Sequence, residues 1–463
     1  MSNHKFAIRG FNPCESLLRH SPEQLRTFIR RMGKLNLNSI ILHYDYGWKR
    51  YQDLLISECE ANGINIILMT FGPRTFLSYS DWKPSWFAKQ LDGTPYTTRL
   101  ECETYPCAFE PEALAAYKYG AVQWLKSLPL QIKNVHMRAA DGLMFCQCEK
   151  CRVLPDHEKW QPFVDIFAEA VLEARPDLEF ETDIYVKRYL IPKNRVPYQQ
   201  MQHIMYDTFF RSPIFPLGTQ RDIFNKGNVK NAATEPNPDA VTPNMYHMNR
   251  LREWTSAFPG KMYIHENAMM QGYFSVFQYA TQAMLEDLKT FRQLGIDGVC
   301  YEAFEPGYKQ FEDMFEILAK AMNGEEFEYQ PTELEQLLYN NNTSVYSPDN
   351  PVKLEKYISD PFLLKQLHFY RDYDYSPAEY RKYIEFAFEN EDRMDPLFLG
   401  YCLSRVGSQN GKFRFRNLSE EAQNMLSYRK LWDFMELIPA EQDPRKICRN
   451  ILFELISKVE AVS

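Results

Sequence analysis

The sequence predicts a (β/α)8 barrel followed by an all-helical region. Three observations carry that reading. Over the first 325 residues, short apolar runs alternate with amphipathic segments eight times. Most of the runs are almost continuously apolar, as parallel strands covered on both faces must be. From about residue 326 the alternation stops and helical periodicity alone remains. The expected organisation is a catalytic barrel over 1–325 and a helical C-terminal domain over 326–463.

The expected strands are "KFAIRGF" (5–11), "NSIILHYD" (38–45), "INIILMTF" (64–71), "NVHMRAAD" (134–141), "LEFETDIY" (178–185), "HIMYDTFF" (203–210), "KMYIHENA" (261–268) and "GVCYEAF" (298–304). Helical patterns lie between them. Residues 21–35 open on Ser21 and Gln24, spaced as a capping box. Residues 158–174 and 276–295 carry apolar side chains at i, i+3 and i+4. Between the fifth and sixth strands, 186–202 has room only for a short helix. The Pro/Asn/Gly-rich stretch 211–247 reads as a cleft wall or lid. In the C-terminal region, "PTELEQLLYN", "DPFLLKQLHFYRDY", "SPAEYRKYIEFAFEN", "SEEAQNMLSYRKLWDFMEL" and "PRKICRNILFELISKV" read as helices.

Composition excludes several function classes. Net charge is −8 with no basic run, which argues against nucleic-acid binding. No stretch approaches the roughly 18 apolar residues of a membrane span, and the start lacks the pattern of a secretory leader. A cytoplasmic protein is expected, with its 10 cysteines reduced or metal-bound. The 29 tyrosines and 32 phenylalanines supply many ring faces, mostly for the core and some of the kind that stack on sugars.

In such a barrel, chemistry sits at the C-terminal ends of the strands. The first strand ends near Arg9. The second delivers His43 and Asp45, the fourth Asp141, and the fifth Asp183 and Tyr185. The sixth delivers Asp207 and Arg211, the seventh His265 and Glu266, the eighth Glu302 and Glu305. Carboxylates from at least five strands converge on one mouth. Paired carboxylates beside aromatics suit glycoside hydrolysis, one protonating the leaving oxygen and the other acting as nucleophile or activating water. Glu266 is the first choice for nucleophile or base and Asp141 for acid, with Glu302 the rival for either role. Arg9, His43, Asp45, Tyr185, Asp207, Arg211, His265 and Glu305 would bind substrate. A carbohydrate substrate is expected, and a homodimer through the helical region is open. A metal-dependent sugar isomerase or hydrolase, recruiting His43, Asp45, Asp183, Asp207 and His265, is the alternative enzyme. A non-catalytic sugar-binding barrel is the third reading.

Cys146, Cys148 and Cys151 form C-x-C-x2-C in "FCQCEKC". Tetrahedral zinc needs a fourth ligand. Cys107 lies in the loop after the third strand, on the same barrel face, and Cys102 could replace it. A four-thiolate zinc has no open position, so the expected role is structural. Free thiols and an iron–sulfur centre are the competing readings, and the radical-enzyme spacing C-x3-C-x2-C is absent. No organic cofactor is expected.

"YPCAFEP" followed by "FCQCEKC", over residues 105–151, resembles the structural zinc site of some family 42 glycoside hydrolases, the β-galactosidases. Where those enzymes carry Asn-Glu at the end of the fourth strand, this chain has "AADG". The upstream "CAFEPEA", the Asp-Gly before the cysteines and "GVCYEAFEPG" also resemble a bacterial glycoside-hydrolase-like family similar to α-glucuronidases and β-hexosaminidases. That resemblance implies a glycosidase barrel over 1–325, and α-glucuronidases follow their barrel with a helical domain.

Overall fold

A computed structural model describes residues 4–462 except 14–15, 71, 97–104, 140–144, 187, 210, 213, 222–241, 268–279, 303–311, 342–350, 366–375, 392, 394 and 429. Eight parallel strands close into a barrel in chain order. They are β1 (Ile8–Asn12), β2 (Ser39–His43), β3 (Asn65–Met69), β4 (Asn134–Met137), β5 (Glu179–Ile184), β6 (Ile204–Asp207), β7 (Met262–Glu266) and β8 (Gly298–Glu302). One helix follows each strand: α1 (Pro22–Lys34), α2 (Trp48–Ala61), α3 (Pro111–Ser127), α4 (Asp156–Ala174), α5 (Val196–Gln200), α6 (Pro243–Ala257), α7 (Thr281–Gln293) and α8 (Glu312–Met322). α1 begins with the expected capping box, Ser21 and Gln24 satisfying each other's backbone N–H groups. The expected short connection between β5 and β6 is α5.

Strand alternation sorts side chains between two cores. Ile8, Ile41, Ile67, Met69, Met205, Tyr263 and Cys300 point inward and fill the barrel. Their neighbours Phe11, Ile40, Leu42, Leu68, Val135, Ile204, Ile264, Val299 and Tyr301 point outward under the helices.

The rest of the described chain is α9 (Glu333–Asn341), α10 (Pro377–Glu389), α11 (Pro396–Gln409), α12 (Glu420–Ser427), α13 (Leu431–Glu436) and α14 (Pro444–Lys458). A short antiparallel pair joins β9 (Phe413–Phe415) to β10 (Val459–Ala461). The region is therefore not purely helical, and the long pattern over 419–437 is two helices, α12 and α13. α11 is not among the expected helices. Its Gly400 and Gly407 read against a helix, yet close packing favours both, most strongly Gly407. A Cβ at Gly400 would come within 2.7 Å of Leu452, and one at Gly407 within 1.7 Å of the Phe413 ring.

The helical region has its own core, which takes in Leu18 and Tyr46 from the loops after β1 and β2. The Arg19 guanidinium, fully buried, pairs with Asp395 at 2.7 Å and lies 4.9 Å from the Phe398 ring and 5.3 Å from the Trp432 ring. Arg50 donates to the backbone carbonyls of Ile438, Pro439, Ala440 and Gln442. The helical region thus sits on the C-terminal face of the barrel, at β1 and β2. Among the described residues, no helix is long and apolar enough to cross a membrane.

Candidate active site and cysteine cluster

Strand tilt stacks the inward side chains of such a barrel in layers drawn from alternate strands. Following the register round the wall places His43 (β2), Arg138 (just past β4), Asp207 (β6) and Glu302 (β8) in the uppermost layer. Asn12 (β1), Met69 (β3), Asp183 (β5) and His265 (β7) lie in the layer beneath. Contacts agree with this stacking. Arg138 Nη2 reaches to 4.0 Å from Asp207 Oδ2, and Arg138 Nη1 to 3.6 Å from Met69 Sδ. The ring of Tyr185, one residue past β5, lies 4.8 Å from the Arg138 guanidinium.

Asp207 is the best-held acid. His265 Nδ1 lies 3.0 Å from Oδ2, while Oδ1 accepts from Asn267 Nδ2 at 2.5 Å and from the Phe209 N–H at 2.9 Å. Below it, Asn12 Nδ2 lies 3.5 Å from His265 Nε2 and 3.4 Å from His43 Nε2. An amide that donates to both rings requires both Nε2 atoms to be unprotonated. Burial, reinforced by the positive charge of Arg138, pushes His43 well below its ordinary range, which keeps it neutral. Asp183 Oδ1 accepts from Arg188 Nη1 at 3.1 Å and from the Ala139 N–H at 3.4 Å, and the buried Oδ2 has no hydrogen-bond partner among the described residues.

Several expected site residues lie elsewhere. Glu266 alternates with the inward His265, so it points outward with Ile264. Its carboxylate is held by Arg211 at 2.8–3.3 Å, and Arg211 also pairs with Asp287 of α7 at 2.6 Å. This buried triad fixes the chain after β6, because Asp287 also accepts from the Leu217 N–H and Arg211 donates to the Phe215 carbonyl. Glu266 and Arg211 therefore brace the wall. Burial alone would lower the Arg211 pKa, but Asp287 and Glu266 together raise it; Asp287 is pushed up to about 7 by burial and by Glu266. One guanidinium shared by two carboxylates leaves Asp287 only partly compensated.

Arg9 is the second residue of β1 and lies at the opposite end of the barrel, donating to the carbonyls of Phe6, Ala7 and Asn36. Asn12 holds the position expected for Arg9. Asp45 sits half-buried on the rim, where it accepts from Thr75 Oγ1 at 2.7 Å and ties the loops after β2 and β3. Asp141 and Glu305 lie outside the described residues. Asn12, the tie between Asp207 and His265, and a lower buried set in which Glu181 accepts from Tyr263 at 2.6 Å and meets His136 Nδ1 at 2.9 Å were not expected. Period-two alternation places them only once the inward face of each strand is known.

Cys107, Cys146, Cys148 and Cys151 bring their sulfurs within 4.8 Å of one another. Cys107 Sγ lies 3.9 Å from Cys148 Sγ and 3.7 Å from Cys151 Sγ. Four sulfurs about 2.3 Å from a tetrahedral zinc are spaced by about 3.8 Å, so the set fits that geometry. The backbone N–H groups of Lys89 and Cys148 point at Cys146 Sγ, at 3.3 and 3.5 Å. Hydrogen bonds from Cys107 and then Cys151 hold the Cys146 thiol far below its ordinary value, while Cys107, chiefly through Cys146, is pushed up to about 12. The cluster joins the loop after β3 to the loop after β4, where the Gln147 N–H also donates to the Lys89 carbonyl at 2.7 Å. Cys102 lies outside the described residues, and Cys107 is the fourth thiol of the set.

No known family profile matches the sequence, and no curated protein matches it. Solved structures similar to it include a β-galactosidase from the Antarctic haloarchaeon Halorubrum lacusprofundi, with 12% identity and a TM-score of 0.44, covering 81% of this chain and 65% of that one. A glycoside hydrolase domain from Bordetella bronchiseptica has 12% identity and a TM-score of 0.44, covering 69% of this chain and 99% of the domain. A β-galactosidase from the psychrophilic Marinomonas ef1 has 10% identity and a TM-score of 0.41, covering 63% of this chain and 53% of that one. The chain spans a little over half to about two thirds of the length of the two β-galactosidases. The barrel assignment rests on the closed sheet of this chain itself.

Proposed function

We propose that the protein hydrolyses a glycosidic bond at the C-terminal mouth of the barrel. The observation that carries the reading is the uppermost inward layer, where two carboxylates, Asp207 and Glu302, share one level with Arg138 and His43. Asp207 uses both oxygens as acceptors, which suits a carboxylate that attacks the anomeric carbon or receives a proton from water. The proton for the leaving oxygen then falls to Glu302. Arg138 and neutral His43 would bind sugar hydroxyls, and Tyr185 would offer its ring. The four cysteines would hold a structural zinc that clamps two mouth loops and takes no part in bond cleavage. The metal-dependent alternative lacks support among the described residues, where the four-cysteine cluster is the group of three or more His, Cys, Asp or Glu ligands that comes together.

A panel of aryl glycosides, assayed with the Glu302→Gln and Asp207→Asn variants, tests the proposal. Hydrolysis of one or more glycosides, lost in both variants, supports it. Full activity in both variants overturns the assignment of roles.

A further inference from the structure

We propose that the helical region is a wall of the substrate cleft and that Lys430, at its inner edge, binds substrate beside His43. This rests on the glycosidase reading of the mouth. Lys430 is the residue that precedes α13, and it is half-buried. One helical turn later, Asp433 accepts from the Tyr46 hydroxyl at 3.4 Å. Tyr46 lies three residues beyond His43, the β2 member of the uppermost layer. The neighbouring Trp432 is held by Arg19, from the loop after β1, and Arg19 is anchored to Asp395. Leu18 and Tyr46 are built into the helical core, so α13 cannot swing away from the mouth without opening that core.

The beginning of α13 is thereby fixed beside the top of β2. The charge of Lys430 is felt at His43, where it adds to burial and Arg138 in disfavouring the imidazolium. An ammonium on a flexible four-carbon stem at this place can donate to hydroxyl or ring oxygens of a sugar that reaches His43 and Arg138. The barrel alone would then hold the carboxylates but lack one side of the binding site.

The test compares Lys430→Ala, Lys430→Met and Lys430→Arg in the full-length chain, on whichever aryl glycoside the wild type cleaves. Expected is a KM raised about tenfold in the Ala and Met variants, the cost of one charged hydrogen bond, with kcat within about twofold. The Arg variant should recover most of the loss. The Met variant keeps the stem and should keep the wild-type melting temperature, which separates binding from folding. An unchanged KM in folded Ala and Met variants overturns the inference and leaves the glycosidase reading standing. If the wild type cleaves no glycoside, calorimetry with methyl glycosides decides. Binding that weakens about tenfold in the Met variant supports the role of Lys430 and removes the hydrolase reading. No binding of any glycoside overturns both.

Discussion

Glu266→Gln separates a catalytic role for this acid from a bracing one. The substitution keeps the shape and removes one charge from the triad with Arg211 and Asp287. Breaking a buried ion pair outright costs about 3–5 kcal/mol. Here Arg211 keeps Asp287 at 2.6 Å and the glutamine carbonyl can still accept, so the loss should be nearer that of a charged hydrogen bond, about 1.5–3 kcal/mol. At roughly 2–4 °C per kcal/mol for a large domain, the melting temperature should fall by about 3–12 °C. Thermal unfolding followed by circular dichroism measures this, and kcat is read well below the transition. The expected result is a lower melting temperature with kcat within about threefold of wild type. A loss of about a thousandfold in kcat with an unchanged melting temperature would refute the outward placement of Glu266.

Glu302→Gln should have the reverse profile, with kcat lowered by about 10²–10⁴-fold and an unaltered melting temperature. Cys146→Ser should lower zinc content below about one per chain, measured by mass spectrometry, and speed proteolysis of the loops after β3 and β4, while cleavage activity persists in the folded fraction. Asp287 should make stability depend on pH. Its folded value of about 7 lies above the ordinary carboxyl value of 3.8, so the folded state binds its proton more tightly than the unfolded chain does. Its contribution is therefore greatest below about pH 4 and is lost as the pH rises towards 7. Melting temperatures across that window should fall less steeply in Asp287→Asn than in wild type.

The barrel was legible because its strands are apolar on both faces and punctuated by helices of ordinary length. The same property hid the site. In a half-exposed strand, polar residues mark one face, but in "MYIHE" every position is buried and nothing in the run separates inward His265 from outward Glu266. Alternation could be applied only once Tyr263 was known to point into the barrel. Strand ends were a second difficulty. "KFAIRGF" reads as complete before Asn12, so Arg9 was placed at the wrong end of β1. The cysteines were easier to read, because thiols are rare and the order of loops round a barrel brings the segments after β3 and β4 together. Lys430 left no trace in the sequence, since what brings it near His43 is the docking of residues nearly four hundred positions apart.

That docking also shapes how the chain must fold. Leu18 and Tyr46 belong to a core otherwise made of residues 334–459. During synthesis the first two βα units therefore emerge long before the partners that cover them, and their apolar loops stay open while most of the chain is made. Contacts of such sequence separation slow folding and expose intermediates to aggregation. A fragment ending near residue 325 would carry that exposure permanently.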